Sequence, residues 1–144
     1  MIKIICVGKV KESFFREAIM EYEKRIRKYH KICIEEVMDS NILTEGDLIL
    51  KKLRDKDFIV TLEIDGKSMD SIQFSNWVED SFMRHGSIVF VIGGSDGIDC
   101  RVKERANERI SFSSLTFPHQ LFRVILLEQI YRAFKLIHHE SYHK

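Results

Sequence analysis

Apolar residues follow two rhythms along this chain. Compact runs rich in β-branched residues, Ile2 to Val7, Ile32 to Val37, Phe58 to Ile64, Ile88 to Ile92 and Ile110 to Ser113, predict five strands. Between them the spacing lengthens to three or four. Phe14, Ala18, Ile19, Tyr22 and Ile26 predict a helix from about Ser13 to Tyr29, and Thr44 is placed to cap a short one carrying Leu48, Leu50 and Leu53. Ser71 can start a helix through Phe74, Trp77, Val78 and Phe82 that stops at Gly86, and Asp99 can cap a charged helix to about Glu108. A long helix follows from Pro118 to about Ile137. Asp65-Gly66 reads as the turn that closes the third strand. Strict alternation of strand and helix predicts an α/β fold, a parallel sheet with helices on both faces. The unbroken run Ile88 to Ile92 suits a strand covered on both sides.

Composition narrows the class further. With 144 residues, 44% of them apolar, the chain is expected to form one domain over residues 1–144 with a sizeable core. The seven glycines and one proline exclude collagen, and the dispersed apolar content excludes a disordered chain. A net charge of +1 supplies no global field for a polyanion, so any nucleic-acid affinity must be local. Lys24, Arg25, Arg27, Lys28 and Lys31 form the densest basic cluster. Cys6, Cys33 and Cys100 are odd in number and far apart, which suits neither a disulfide framework nor a zinc ribbon; Cys6 and Cys33 fall within apolar runs and are expected in the core. With no signal-like start and no apolar run of transmembrane length, the expected location is the cytoplasm.

In open α/β sheets ligands bind beyond the carboxyl ends of the strands, which directs attention to two segments. Gly93-Gly94-x-x-Gly97 offers backbone amides that no Cβ shields, yet it is not G-x-G-x-x-G and does not follow the first strand, so it argues against a dinucleotide site. Ser111 to Gln120 crowds hydroxyls and free amides at the mouth of the long helix, where Pro118 suits a first turn and forces its predecessor to be extended. His139-Glu140-Ser141-Tyr142-His143 matches H-E-x-x-H, but the chain stops at Lys144, before any downstream third ligand, and no metal is expected.

Several spaced motifs together resemble one family. They are Ile4 to Lys9, Tyr22-Glu23-Lys24-Arg25, Val60-Thr61-Leu62-Glu63 with Gly66-Lys67, Phe90 to Gly97, Ser111 to Gln120, Arg123-Val124, Glu128-Gln129-x-Tyr131-Arg132-Ala133 and the ending Tyr142-His143-Lys144. This series is similar to the RlmH family of the SPOUT (α/β-knot) superfamily, small methyltransferases that act on pseudouridine in 23S rRNA, and the likeness covers nearly the whole chain. The resemblance implies a C-terminal trefoil knot, a homodimer, S-adenosylmethionine as methyl donor, and N3-methylpseudouridine as product on the assembled ribosome. By position it implies that Leu62, Gly94 and Ser113, Ser114, Leu115, Thr116, Phe117 and Pro118 line the donor site. The connection Met38 to Leu43 is more than ten residues longer in many members.

Methyl transfer needs in-line approach of a nucleophilic nitrogen, and the weakly acidic N3–H of a uracil-like ring must lose its proton. The side chains expected to steady the anion or take the proton are Arg132, Tyr142 and His143, with His119 a weaker candidate. In a two-fold dimer the tail would reach the partner's donor site. Lys24, Arg25, Lys28 and Lys144 are the expected RNA contacts, in an enzyme that recognises its substrate mainly by shape. The alternative from another class is a non-enzymatic ribosome-binding or assembly factor with the same fold.

Overall fold

A computed structural model describes residues 1–144. Five strands, β1 (Ile2–Val7), β2 (Ile32–Val37), β3 (Ile59–Ser68), β4 (Ile88–Ile92) and β5 (Glu108–Ser111), form one sheet in the order β2-β1-β4-β3-β5 with every pair parallel. The helices are α1 (Ser13–Ile26), α2 (Ile42–Lys52), α3 (Ser71–His85), α4 (Cys100–Arg105) and α5 (His119–Ile137). The connections β1 to β2 and β3 to β4 step toward one edge; β2 to β3 and β4 to β5 step toward the other. Uniform crossover handedness therefore puts α1 and α3 on one face and α2 and α4 on the other. The core divides the same way. Alternate strand residues such as Ile4, Phe90 and Leu62 pack under α1, α3 and α5, while Ile5, Val91 and Ile59 pack under α2 and α4.

The expected elements are all present, with shifted ends. Asn41, not Thr44, caps α2: its side chain accepts the Thr44 amide at 2.8 Å. Asp70 rather than Ser71 caps α3, in a reciprocal capping box with Gln73, and Gly86 ends that helix in the left-handed region as expected. The helix α1 stops at Ile26, three residues short, and α4 stops at Arg105. Asp99 caps α4 as expected, and the Arg101 guanidinium bound to it holds its carboxyl down to about 2. Cys6 is fully buried, but Cys33 is only half-buried on the edge strand β2.

The largest correction concerns β3. Asp65-Gly66 does not close the strand, which runs on to Ser68. Leu62 and Lys67 both pair with Ile110, so Glu63 to Gly66 are extra residues opposite a single position of β5. Bulges of this kind bend a strand and redirect its side chains. Gly66 seals this one: a Cβ there would stand 2.6 Å from the Ile110 carbonyl carbon and 2.7 Å from its nitrogen.

One charge anchors α5 to the sheet. Arg123 is 2% exposed and donates to Glu36 Oε2 at 2.6 Å and to the Gly8 carbonyl at 3.1 Å. It thus links the helix to the carboxyl ends of β2 and β1. Its Nε has no partner, so the clamp is not fully satisfied.

Candidate functional site

Two strands, β3 and β4, and the loops that lead into α4 and α5 enclose a cleft at the carboxyl edge of the sheet. The strand β3 feeds α3 on one face while β4 feeds α4 on the other, and their diverging exits leave a crevice. The cleft has a volume of about 250 Å³ and a wide mouth. It therefore suits a nucleoside-sized head with the remainder of a ligand left at the opening. Leu62, Ile92, Ile98, Phe112 and Phe122 supply apolar wall, and the bulge of β3 brings Glu63, Ile64 and Asp65 to the same space.

Of the expected donor residues, Leu62, Gly94, Ser113, Leu115, Thr116 and Phe117 line this cleft. Ser114 and Pro118 belong to the same loop but do not face the space. Pro118 stands just before the first turn of α5, at its N-cap, with extended backbone, and its carbonyl accepts the Phe122 amide. The amides of Thr116 and Phe117 donate to no backbone carbonyl, which leaves hydrogen-bond donors for a ligand edge. On the opposite wall the segment Gly94 to Gly97 forms a tight turn in which Gly97 holds φ at 87°. Gly94 is tightly backed on its far side, where a Cβ would lie 3.0 Å from Val7 Cγ1 and 3.1 Å from Glu45 Oε1 and would have to push one of them back. Bare backbone at this position lets a ligand approach closely.

Glu45 backs that turn. It is 3% exposed, its Oε2 accepts the Ser40 amide at 2.8 Å, and its Oε1 has no partner. Burial, more than the nearby Asp39 and Asp96, pushes its carboxyl above the ordinary range. The folded protein therefore binds the Glu45 proton more tightly than the unfolded chain does. Its contribution is favourable at low pH and is lost as pH rises through the raised value. Glu45→Gln is expected to raise the melting temperature relative to the parent by about 2–4 °C at pH 8 and by clearly less at pH 4.5. Thermal melts at both pH values check this, and a difference independent of pH would refute it.

Arg132, Tyr142 and His143 come together, but away from the cleft. Arg132 donates from Nε to both oxygens of Glu128 at 3.0 and 3.3 Å, its Nη1 meets His143 Nδ1 at 2.9 Å, and its guanidinium carbon stands 4.9 Å from the Tyr142 ring centre. A guanidinium can only donate, so His143 Nδ1 accepts and Nε2 carries the proton of the neutral ring. Burial, with Glu128 and Tyr22 behind it, pushes the Tyr142 hydroxyl upward, which leaves it a donor rather than a base. His119 at the cleft and Arg132 lie on the same helix, roughly 20 Å apart along its axis. H-E-x-x-H is not helical here: α5 ends at Ile137 and His139 takes φ 55°, so the two histidines do not share a helix face. No three His, Cys, Asp or Glu side chains are grouped to hold a metal ion.

The basic cluster on α1 is partly neutralised by its own preceding turn. Arg25 pairs with Glu21 at 2.9 Å and lies near the Tyr22 and Tyr131 rings, and Arg27 pairs with Glu23 at 3.0 Å. Lys24 and Lys28 are exposed, without ion pairs, as is Lys144. Glu63, Lys103 and Phe112 are cleft residues that the sequence reading did not single out as ligand contacts. The signal available for Glu63 is a charge that follows directly on a strongly apolar strand run, where a core-facing residue was due.

A parallel sheet with a crevice at its carboxyl edge, walled by apolar side chains and rimmed by free amides and ionisable groups, is the arrangement of an α/β protein with a small-molecule site. Relatives narrow the class. A family model described as "Predicted SPOUT methyltransferase" matches residues 1–143. Proteins named ribosomal RNA large subunit methyltransferase H from Clostridium botulinum and Clostridium tetani are 49% and 43% identical to the chain, each alignment covering 99% of both proteins. Those alignments run to 157 positions, so the relatives are longer than this 144-residue chain. Among solved structures, a probable methylase family protein from Haemophilus influenzae Rd KW20 superposes with a TM-score of 0.59 over 99% of this chain and 70% of its own, at 8% identity, a likeness of fold alone. The chain belongs to the SPOUT methyltransferase family. No helix is long and apolar enough to cross a membrane.

Proposed function

We propose that this chain, as a single SPOUT domain over residues 1–144, methylates N3 of a pseudouridine in 23S rRNA on the assembled ribosome in the cytoplasm, with S-adenosylmethionine as donor. The observation that carries the reading is the cleft itself: six of the eight expected donor residues face one space at the carboxyl edge. Its content also fits this donor. The apolar wall suits the purine faces, and the free amides of Thr116 and Phe117 suit its polar edge. Bound there, S-adenosylmethionine supplies a sulfonium methyl for in-line attack.

The tail residues do the remaining work from a second copy. Within one chain the cleft and the Arg132 cluster sit at opposite ends of α5, whereas a two-fold homodimer can pair one copy's cleft with the other's tail. Exposed Phe14 and Met20 on α1, at 60% and 67%, offer apolar surface for such a partner. In the composite site Arg132 faces the anion that develops on the uracil ring, and the protonated Tyr142 donates a hydrogen bond to a ring carbonyl. Once Arg132 turns to the base, His143 Nδ1 is released to accept the N3 proton. The knot of the family belongs to the same reading, as do RNA contacts through Lys24, Arg25, Lys28 and Lys144. Arg25 is already engaged by Glu21, so Lys24 and Lys28 are the freer phosphate partners.

Mass spectrometry of 23S rRNA nucleosides from cells with and without this protein tests the function. The expected result is loss of one methylated pseudouridine, restored by the chain. An unchanged nucleoside profile would return the molecule to the binding-factor reading.

A further inference from the structure

Of the ionisable side chains in the cleft, Glu63 is the carboxylate with a fixed geometry. It is 10% exposed, whereas Asp65, two residues on in the same bulge, is exposed to solvent. Alternation along β3 puts Thr61 and Glu63 on one face, and the buried Thr61 hydroxyl donates to Glu63 Oε2 at 2.6 Å. From α4, Lys103 Nζ reaches Oε1 at 3.1 Å, and from β5, Arg109 Nε stands 3.7 Å from Oε2. Three elements therefore hold one carboxylate in place against the wall where Leu62 begins the bulge.

What this group can receive follows from its surroundings. A carboxylate has about four acceptor positions, and the contacts with Thr61, Lys103 and Arg109 leave Oε1 room for another donor. With Lys103 and Arg109 both within 4 Å, the Glu63 carboxylate is already paired, so a further cation gains little there while a neutral hydroxyl can still donate to it. Lys103 has further N–H groups directed at the same space, so a pair of adjacent hydroxyls finds an acceptor in Glu63 and a donor in Lys103. We infer that Glu63 and Lys103 recognise the vicinal ribose hydroxyls of the donor, making the cleft selective for a ribonucleoside head. This rests on the reading of the cleft as the donor site.

Isothermal titration calorimetry of the whole protein with S-adenosylhomocysteine and its 2′,3′-dideoxy analogue tests the inference. A site built to hydrogen-bond a hydroxyl rejects the analogue that lacks it, so the parent protein is expected to bind the analogue about 30-fold or more weakly. Glu63→Gln should weaken the ribose ligand about tenfold and leave the analogue nearly unaffected, so that the gap between the two narrows. Equal losses for both ligands would make Glu63 a structural residue and overturn the inference. So would equal affinity of the parent protein for both ligands, a result that requires no variant to fold. If the parent protein binds neither ligand, the donor reading itself fails and the inference falls with it.

Discussion

Removal of residues 141–144 is expected to slow methyl transfer by roughly 10²–10⁴-fold while donor affinity stays within about twofold of the parent, the range that loss of positioned acid–base and charge-stabilising groups commands. The truncation is chosen to end after Glu140. That residue accepts from the Tyr29 hydroxyl at 2.8 Å and from Lys135 at 3.2 Å, so the segment after α5 stays tied to the turn that follows α1. Tyr142 and His143 are lost, and Arg132 keeps only its carboxylate partner Glu128. Rates on purified ribosomal particles, calorimetry with the donor and sedimentation of the truncated chain separate the possibilities. If transfer persists in a dimer that lacks these residues, the composite site is wrong. Mixing the truncated chain with a Thr116→Trp chain, whose cleft is filled, sharpens the test. A heterodimer then regains one intact site if a tail serves its partner's cleft, and none if it serves its own.

The second expectation concerns the bulge. Gly66→Ala should destabilise the fold by about 1–3 kcal/mol, the usual cost of forcing atoms into a closed contact, and should slow transfer roughly 10²-fold through displacement of the cleft wall. The cause is steric and local. The added methyl would lie 2.6 Å from the backbone of Ile110, and β5 must move away from β3 to admit it. Denaturant unfolding and single-turnover kinetics would read both effects. A variant with parental stability and rate would mean that the strands separate here without consequence for Leu62 or Glu63.

The strands were legible because β-branched runs are dense and turns punctuate them, and the sheet's parallel sense followed from alternation with helices. The bulge was not legible. Asp65-Gly66 has the composition of a turn, and only the pairing of Leu62 and Lys67 with one residue of β5 turns it into an inserted wall. Cap identity failed by the same logic: Thr44 and Ser71 have the right chemistry, but Asn41 and Asp70 reach the amides first. That the loop before α5 would line a cleft was legible from Pro118 and its crowd of hydroxyls, together with the family resemblance. Lys103 was not, since nothing in a charged helix distinguishes the one residue that points back across the sheet to Glu63. The convergence of Arg132 with Tyr142 and His143 was expected as a list of residues, and its separation from the cleft emerges only when α5 has a direction and a length.

The placement of β5 has a consequence for how a ligand enters. This strand is four residues long and pairs on one side only, and the loop that leads to α5 hangs from its end. Short edge elements open at lower free energy than central strands do when few contacts hold them. Ile110 of β5 is fully buried in the core beneath the helices, so lifting this strand would break that packing. A ligand is therefore expected to enter by the open mouth of the cleft with the edge already closed, and to meet a rigid wall rather than shape one.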